Sequence, residues 1–290
     1  MCLYRCVPLY FPARICYIGI AEEGSATVGS AVLFDFDDTL VETAVHFDRA
    51  KKEFTRLLAG LGLGDEELPE VLNRYDIAEV EAAGGFHRDC FPRALVAVYR
   101  YYCRRAGRPV ASEVVRTVTA LGRAVYDRVP RVRPGAVDLL RALAGRRRLI
   151  LVTTGDQEVQ MKRLAASGLA GWFDAVHVLP VKDEDAYRCI AQTRGLVPER
   201  SWMVGNSIRA DINPARRVGF RCIFVPHPRT WDYDLEEPVG GHLQADSLAE
   251  ARRFIEPLAK TRMRMLRTKK FPTAAACPAG DVTPAGGTAP

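Results

Sequence analysis

Two aspartates at the end of one apolar run are the residues of this chain best suited to do chemistry. The run Val32-Leu33-Phe34 has the composition of a buried strand, and Asp35 and Asp37 follow it at i and i+2. Where a strand opens into a loop, both side chains can face one cleft. Two carboxylates this close repel each other unless a cation neutralises one of them or one of them holds a proton. The pattern therefore indicates metal binding and acid–base chemistry.

The chain downstream of residue 130 alternates strands with helices, which predicts a parallel sheet. Predicted strands cover 148–153, 175–179, 202–204 and 222–225, and predicted helices cover 134–144, 158–167, 184–193 and 208–218. Strands separated by single helices form a doubly wound α/β sheet with helices on both faces. Such sheets bind their ligands at the carboxyl ends of the strands.

Between the first strand and this alternating region, the sequence is predicted to be entirely helical. Predicted helices cover 46–58, 66–80, 91–105 and 112–128, and one of them carries the apolar stripe Phe91, Leu95, Val98 and Tyr102. An all-helical segment at this point is typical of an insertion over the site. We therefore expect a core made of 31–43 and 130–256, with a helical cap over 44–129.

Further polar residues follow the predicted strands at the same edge of the sheet as Asp35. Thr153 ends one strand and is followed by Thr154, Lys182 follows the next strand, and Asp211 lies just past the strand at 202–204. The carboxyl ends of parallel strands share one edge, so these side chains are expected to converge although they lie far apart in sequence.

In this order and spacing, these residues resemble the four motifs of the haloacid dehalogenase (HAD) superfamily. The motifs are represented here by Asp35-Phe36-Asp37-Asp38-Thr39, by Thr153, by Lys182 and by the segment 204–211. The resemblance covers residues 31 to 256 and implies a Rossmann-like parallel sheet with helices on both faces and an inserted all-helical cap of the C1 type. It also implies a phosphatase, since true dehalogenases lack the second aspartate of the first motif.

Phosphoryl transfer assigns different roles to the two aspartates of the first motif. Asp35 is the predicted nucleophile, which forms a phospho-aspartyl intermediate. Asp37 is the predicted general acid, and then the general base that takes a proton from water. Asp38 follows in a turn, where aspartate is common, and is predicted to be structural.

The resemblance implies Mg²⁺ as the cofactor, bound by oxygen ligands. These are the Asp35 carboxylate, the backbone carbonyl of Asp37 and an acid of the last motif, which we assign to Asp211 with Asn206 as a second candidate. Asn206 departs from the commonest family pattern, which has an aspartate at this place. The site consequently has one negative charge fewer.

Two further sets of residues are predicted to bind the substrate. Thr153, or its neighbour Thr154, would hold phosphate oxygens, and Lys182 would offset the charge of the nucleophile and the phosphoryl group. The loop between two predicted cap helices carries Phe86, His87 and Arg88, which are suited to recognising the non-phosphate part of a substrate.

Charge and cysteine content limit the partners and the compartment. The net charge of +6 is matched by six basic residues between 260 and 270, and the body of the chain has no basic stripe interleaved with aromatic residues. Nucleic acid is therefore not an expected partner. The eight cysteines are scattered without metal or disulfide spacing, which favours reduced thiols in the cytoplasm.

The two ends of the chain are predicted to lie outside the domain. Residues 1–30 are interpreted as an N-terminal extension, because two prolines and two arginines break up the apolar run that a membrane span requires. A secretory signal is the alternative for this segment. Residues 260–290 are expected to form a flexible tail, basic at first and then rich in proline, alanine and glycine.

The sequence thus predicts a Mg²⁺-dependent phosphatase that acts on a small phosphorylated metabolite, with no membrane partner. A phosphomutase with the same motifs is an alternative, as is a non-catalytic binding or regulatory protein on the same fold. The identity of the substrate and the oligomeric state are left open by the sequence.

Overall fold

The computed structural model of this protein describes residues 29–256, so all but the last two residues of the predicted extension 1–30, and the whole predicted tail 260–290, lie outside the described residues. Six strands form one sheet: β1 (Ala31–Phe34), β4 (Arg148–Thr154), β5 (Ala175–Leu179), β6 (Trp202–Gly205), β7 (Arg221–Phe224) and β8 (Leu243–Gln244). Their order is β5-β4-β1-β6-β7-β8, and all five neighbouring pairs are parallel. No helix in the described part of the chain combines the length and the apolar character needed to cross a membrane.

Helices cover both faces of the sheet, as the alternating pattern predicts. In the fully buried β1, Val32 and Phe34 face one side, and Ala31 and Leu33 face the other. The first side packs against α5 (Ala136–Leu143) and α9 (Leu248–Ile255), and the second against α7 (Glu184–Thr193) and α8 (Asn213–Val218). The remaining core helix is α6 (Gln157–Ala166). The predicted doubly wound α/β fold is confirmed.

A helical insert, which we define as residues 44–124, separates β1 from the rest of the sheet. It consists of α1 (Ala44–Gly60), α2 (Leu68–Ala82), α3 (Cys90–Arg105) and α4 (Ser112–Ala124). These helices enclose a hydrophobic core of their own, which includes Phe54, Phe91 and Leu95. Two short antiparallel strands, β2 (Val41–Glu42) and β3 (Arg131–Val132), bring the two ends of the insert together.

The segment predicted as one helix over 208–218 is divided in the structure. A π-helical turn, Ile208–Ile212, precedes α8. Pro214 lies at the start of α8 and has no N–H for an ordinary helical hydrogen bond to the preceding turn. The wider turn leaves Asp211 facing inward and fully buried. The π-helical turn therefore helps to position Asp211 of the last motif.

Candidate active site

Asp35, Lys182 and Asp211 form a buried charge cluster at the carboxyl edge of the sheet. Asp35 follows β1, Lys182 lies just beyond β5 and Asp211 lies in the turn after β6. Lys182 Nζ donates to Asp35 Oδ1 and to Asp211 Oδ1, at 2.6 Å in each case. Burial alone would lower the pKa of Lys182, but Asp211 and Asp35 outweigh burial and raise it. The lysine therefore stays charged beside the predicted nucleophile, Asp35.

Asp211, the predicted acidic metal ligand, accepts hydrogen bonds through both of its carboxylate oxygens. Its Oδ1 accepts from Lys182, and its Oδ2 accepts from the backbone N–H of Ser207 at 3.0 Å. A Cβ at position 205 would overlap the Asp211 carboxylate, so only glycine fits there. Because protein donors engage both of its oxygens, the geometry assigns Asp211 to holding Lys182 in place.

The side-chain amide of Asn206, the second candidate ligand, lies next to the oxygens of Asp35 and Asp37 that are predicted to bind the metal. One terminal atom of its amide lies 3.0 Å from the Asp37 carbonyl oxygen, 3.1 Å from Asp35 Oδ2 and 2.9 Å from Thr39 Oγ1. With the nitrogen turned inward, the amide donates to these oxygens. With the oxygen turned inward, it joins the Asp35 and Asp37 oxygens in an all-oxygen set of the kind that Mg²⁺ prefers. The residues present therefore fit the metal.

A second cluster of candidate ligands consists of Asp38, Glu42 and His227, whose ligand atoms lie within 4.8 Å of one another. Asp38 Oδ1 accepts from the backbone N–H groups of residues 43 and 44 at 2.8 and 3.0 Å, so Asp38 caps α1. His227 Nδ1 accepts from the backbone N–H of Arg229, which leaves the proton on Nε2, 3.0 Å from Glu42 Oε2. A protonated ring nitrogen has no lone pair for a metal. This cluster therefore stabilises the fold around the first motif.

Asp37 is held by Gln160, a residue that the sequence did not point to. Gln160 Nε2 donates to Asp37 Oδ2 at 2.6 Å and to Thr153 Oγ1 at 2.7 Å. Asp37 Oδ1 has no hydrogen-bond partner among the described residues. Desolvation, opposed by Arg163 and reinforced by the charge of Asp35, raises the pKa of Asp37 to about 6. Gln160 thus holds one oxygen, and the other accepts no hydrogen bond from the described residues.

Arg163 is a second residue that the sequence did not point to, and it lies beside Gln160 on α6. Its Nη1 is 3.7 Å from Asp37 Oδ1, and its Nη2 donates to the Val125 carbonyl at 2.9 Å. The side chain is only 4% exposed. Gln160 and Arg163 are three residues apart and therefore lie on one face of α6. The same face carries the apolar residues Val159 and Leu164. Polar residues on a predicted buried face are the one sequence feature that could have indicated them.

The two threonines after β4 occupy different environments. Thr154 lines the cavity above the charge cluster, whereas Thr153 is buried behind it. The Thr153 hydroxyl accepts from Gln160, and its own hydrogen has only a long contact of 3.5 Å to the Thr154 carbonyl. The Thr153 hydroxyl hydrogen is therefore only weakly engaged, whereas Thr154 is the threonine that lines the cavity.

The cavity has a volume of about 900 Å³ and is lined by the core and by the helical insert. Asp35, Asp37 and Lys182 lie at its core side. Its volume is within the range of pockets that bind small molecules. The cavity is therefore large enough for a phosphate group and a leaving group.

The predicted specificity residues Phe86, His87 and Arg88 all line this cavity. Phe86 packs edge to face against Trp231, with ring centroids 6.1 Å apart. Arg88 forms ion pairs with two acids of the core, Asp156 at 2.8 Å and Glu158 at 2.7 Å. Through these ion pairs, the loop also connects the insert to the core.

Two further acids line the cavity, one from the loop after β7 and one from the insert, and the sequence did not point to either of them. Asp234 lines the cavity and accepts from Ser207 Oγ at 2.8 Å. Asp76 lines it from α2 and is 6% exposed. Neither lies at a predicted strand end, which is where the sequence directs attention.

Replacing Lys182 tests whether the buried cluster depends on its cation. We expect Lys182→Met to lower the free energy of unfolding by about 3–5 kcal/mol, because Asp35 and Asp211 would be left buried without a counter-charge. Urea unfolding followed by circular dichroism measures the change. The matched control is Lys162→Met, which removes an exposed pair with Asp127 and should change stability little. Equal stability of the two variants would contradict the expectation.

Known proteins resemble this chain in sequence and in fold. A glyceraldehyde 3-phosphate phosphatase of Methanothermobacter thermautotrophicus is 27% identical over 233 residues, which span 75% of this chain and 92% of the relative. A haloacid dehalogenase-like family hydrolase from Xanthomonas campestris superposes with a TM-score of 0.64 at 21% identity, over 79% of this chain and 95% of the other. The HAD-hydrolase YfnB from Bacillus subtilis, solved bound to magnesium, superposes with a TM-score of 0.54 at 18% identity, over 79% and 99%.

The family match covers the motifs and most of the described chain. Residues 30–219 match the haloacid dehalogenase-like hydrolase family, a stretch that includes the first aspartate motif, Lys182 and Asp211. The structural neighbours share the fold that brings these residues to one edge of the sheet. The chain therefore belongs to the haloacid dehalogenase-like hydrolase family.

Proposed function

We propose that this protein is a Mg²⁺-dependent phosphatase that hydrolyses a small phosphate monoester through a phospho-aspartyl intermediate on Asp35. The observation that carries the proposal is the position of Lys182, 2.6 Å from Asp35, with Asp37 lining the same cavity. A carboxylate nucleophile, a cation for the phosphoryl oxygens and a proton donor are the parts that this chemistry requires. The phosphatase named among the relatives supports the same class of reaction.

In the first step, a carboxylate oxygen of Asp35 attacks phosphorus while the bond to the leaving oxygen breaks. Lys182 lies against Asp35 and offsets the negative charge that the phosphoryl group brings. Thr153 and Thr154 are the proposed hydroxyl donors to the phosphate oxygens. Asp37 gives its proton to the leaving oxygen, so the alcohol departs neutral.

In the second step, Asp37 is a carboxylate and serves as the base. It takes a proton from a water molecule whose oxygen attacks phosphorus, the Asp35 oxygen–phosphorus bond breaks, and inorganic phosphate leaves. The pKa of about 6 suits both roles near neutral pH, because neither the acid nor the base form is rare.

Asp35, the Asp37 carbonyl and Asn206 are the proposed ligands of Mg²⁺, which supplies positive charge to the phosphoryl oxygens when bound. Magnesium in the Bacillus subtilis relative supports this choice of metal. In this proposal Asp211 holds Lys182 in place and does not bind the metal directly, because both of its carboxylate oxygens accept hydrogen bonds from the protein. In the same proposal, the helical insert acts as a cap whose residues Phe86, His87 and Arg88 face the leaving group.

We also propose a cytoplasmic location and a small phosphorylated metabolite as the partner. Between residues 29 and 256 the cysteines Cys90, Cys103, Cys189 and Cys222 are free thiols, which supports a reducing compartment.

The proposed function is tested by release of inorganic phosphate from a panel of aryl and metabolite phosphate esters, with Mg²⁺ and with a chelator. We expect hydrolysis that the chelator suppresses and that added Mg²⁺ restores. Absence of hydrolysis across the panel would contradict the proposal and favour a non-catalytic member of the family. A transfer of phosphate between positions of one substrate, without release, would favour a phosphomutase.

The proposed metal site predicts that Asn206→Asp binds Mg²⁺ more tightly than the wild type. A carboxylate at this position adds a negative charge to the ligand set, and we expect the dissociation constant to fall by about tenfold or more. Isothermal titration calorimetry measures binding without relying on activity. Asn206→Ala, which removes the oxygen, is expected to bind more weakly, and equal affinity of all three proteins would contradict the ligand assignment.

Gln160 is proposed as a positioning residue that sets the pKa of Asp37. Its amide stabilises the charged carboxylate, so Gln160→Met should raise the pKa of Asp37. The alkaline limb of the kcat/KM profile reports loss of the Asp37 proton and should move to higher pH by about one unit. The matched control is Gln157→Met, an exposed position on the same helix. An alkaline limb that is unchanged in Gln160→Met would contradict this role.

A further inference from the structure

Asp76 is a buried acid of the helical insert to which the proposed reaction gives no role. It lies on α2, whose buried residues are Leu68, Val71, Leu72, Asp76 and Val80. Four of these five are apolar, and Asp76 occupies the same helical face as Leu72 and Val80. An ionised carboxylate at such a position loses hydration that an apolar residue would not lose. Its presence therefore requires a partner.

Among the described residues, Asp76 has an ion pair with Lys51 but no hydrogen-bond donor for its carboxylate. No hydrogen bond reaches its carboxylate from residues 29–256, and its one ion pair is with Lys51, whose Nζ lies 3.8 Å from Oδ2. That separation is longer than a hydrogen bond, and Lys51 is itself 31% exposed. Burial, opposed only by Lys51, raises the pKa of Asp76 to about 6. The carboxylate thus keeps unused acceptor capacity.

The unused acceptors face the same cavity as the charge cluster. Asp76, Lys51 and Tyr126 all line the cavity that holds Asp35 and Lys182. Burial raises the pKa of Tyr126, and the charge of Asp76 raises it further. Arg163, which approaches Asp37, lies with its Cζ 5.7 Å from the Tyr126 ring centroid. A ligand whose phosphate meets Asp35 can therefore extend along this wall towards Asp76.

We propose that Asp76 binds a hydroxyl group of the leaving alcohol, so that the substrate class is the phosphate monoesters of polyols and sugar-like alcohols. This inference rests on the proposed phosphatase function. A hydroxyl donates to the carboxylate and satisfies it without adding charge. An ammonium group is a poorer fit, because the Lys51 ammonium already lies 3.8 Å from the carboxylate and would repel it.

A matched pair of substrates tests the inference: glycerol 3-phosphate and propyl phosphate have the same carbon chain and differ in their hydroxyls. We expect the wild type to prefer glycerol 3-phosphate by about tenfold or more in kcat/KM, since propyl phosphate would leave the acceptor unpaired. In Asp76→Leu, the preference should be lost while kcat/KM for 4-nitrophenyl phosphate changes by less than about threefold. 3-Aminopropyl phosphate should be a poorer substrate than glycerol 3-phosphate.

Controls separate selectivity from folding. Asp48→Asn changes another acid of the cavity wall, one that pairs with Arg229 at 3.0 Å, and should keep the preference. A binding role for Asp76 predicts a melting temperature of Asp76→Leu equal to or above that of the wild type, whereas a purely structural role predicts a lower one. Asp76→Ala, which also removes the acceptor but adds no apolar bulk, provides the same selectivity test.

The outcomes distinguish this inference from the function on which it rests. If the wild type hydrolyses 4-nitrophenyl phosphate but does not prefer glycerol 3-phosphate, or if Asp76→Leu and Asp76→Ala keep the preference, the role of Asp76 is overturned and the phosphatase stands. If 3-aminopropyl phosphate is the best substrate, the hydroxyl assignment is overturned. If no ester is hydrolysed, both fall together.

Discussion

Asp35→Asn is expected to reduce phosphate release by about 10³-fold or more, because an amide does not form the phosphoryl bond that the carboxylate forms. The substitution keeps the shape of the side chain and an oxygen that can accept from Lys182. Lys182 also retains its bond to Asp211 at 2.6 Å, so the buried cation keeps a counter-charge. The loss should therefore appear in turnover, with the fold preserved, and is measured by steady-state phosphate release.

The control for this variant is another Asp→Asn change away from the cavity. Asp138 lies on α5, is 74% exposed and, within residues 29–256, pairs with Arg141 alone, at 3.0 Å. Asp138→Asn should retain wild-type activity, and both variants should show the wild-type circular dichroism spectrum. Activity of Asp35→Asn above about one hundredth of the wild type would contradict the assignment of the nucleophile.

Asp37→Asn is expected to have an effect that depends on the leaving group. With an alkyl phosphate, whose departing oxygen requires a proton, we expect a loss of about 10²–10⁴-fold. With 4-nitrophenyl phosphate, whose leaving group departs as a stable anion, formation of the phospho-enzyme should be much less affected. The second step still lacks its base, so a burst of nitrophenol followed by slow turnover is the expected signature.

Asp38→Asn is the matched control, because this neighbouring carboxylate caps α1 and touches no reacting group. It should change rates on both substrates by the same factor and lower stability. Rapid-quench measurements on the two substrates make the comparison. An Asp37→Asn variant that is slowed equally on both substrates, without a burst, would contradict its role as general acid and base.

The sequence predicts the sheet and its functional edge because both follow from local patterns. Apolar runs define the strands, and parallel strands place Asp35, Lys182 and Asp211 on one edge whatever the loops do. The long helices of the insert are predicted within a few residues of their ends, since apolar residues recur along them at helical spacing. These features require no knowledge of tertiary contacts.

The features that the sequence did not predict depend on contacts between distant segments. β2 and β3 are two residues long and exist only because they pair with each other. Gln160 looks the same in sequence whether it faces water or the Asp37 carboxylate. The sequence also does not show the surroundings of the two candidate metal ligands: the π-helical turn directs Asp211 to Lys182, whereas Asn206 lies beside Asp35.

Trapping of the phospho-enzyme measures the central chemical step directly. Wild-type protein mixed with 4-nitrophenyl phosphate and Mg²⁺, and quenched in acid within the first turnover, should carry one phosphoryl group on the peptide that contains Asp35. Peptide mass spectrometry locates it, and Asp37→Asn should accumulate more of it than the wild type. A phosphoryl group on any other residue, or phosphate release with no labelled peptide in either protein, would contradict the account.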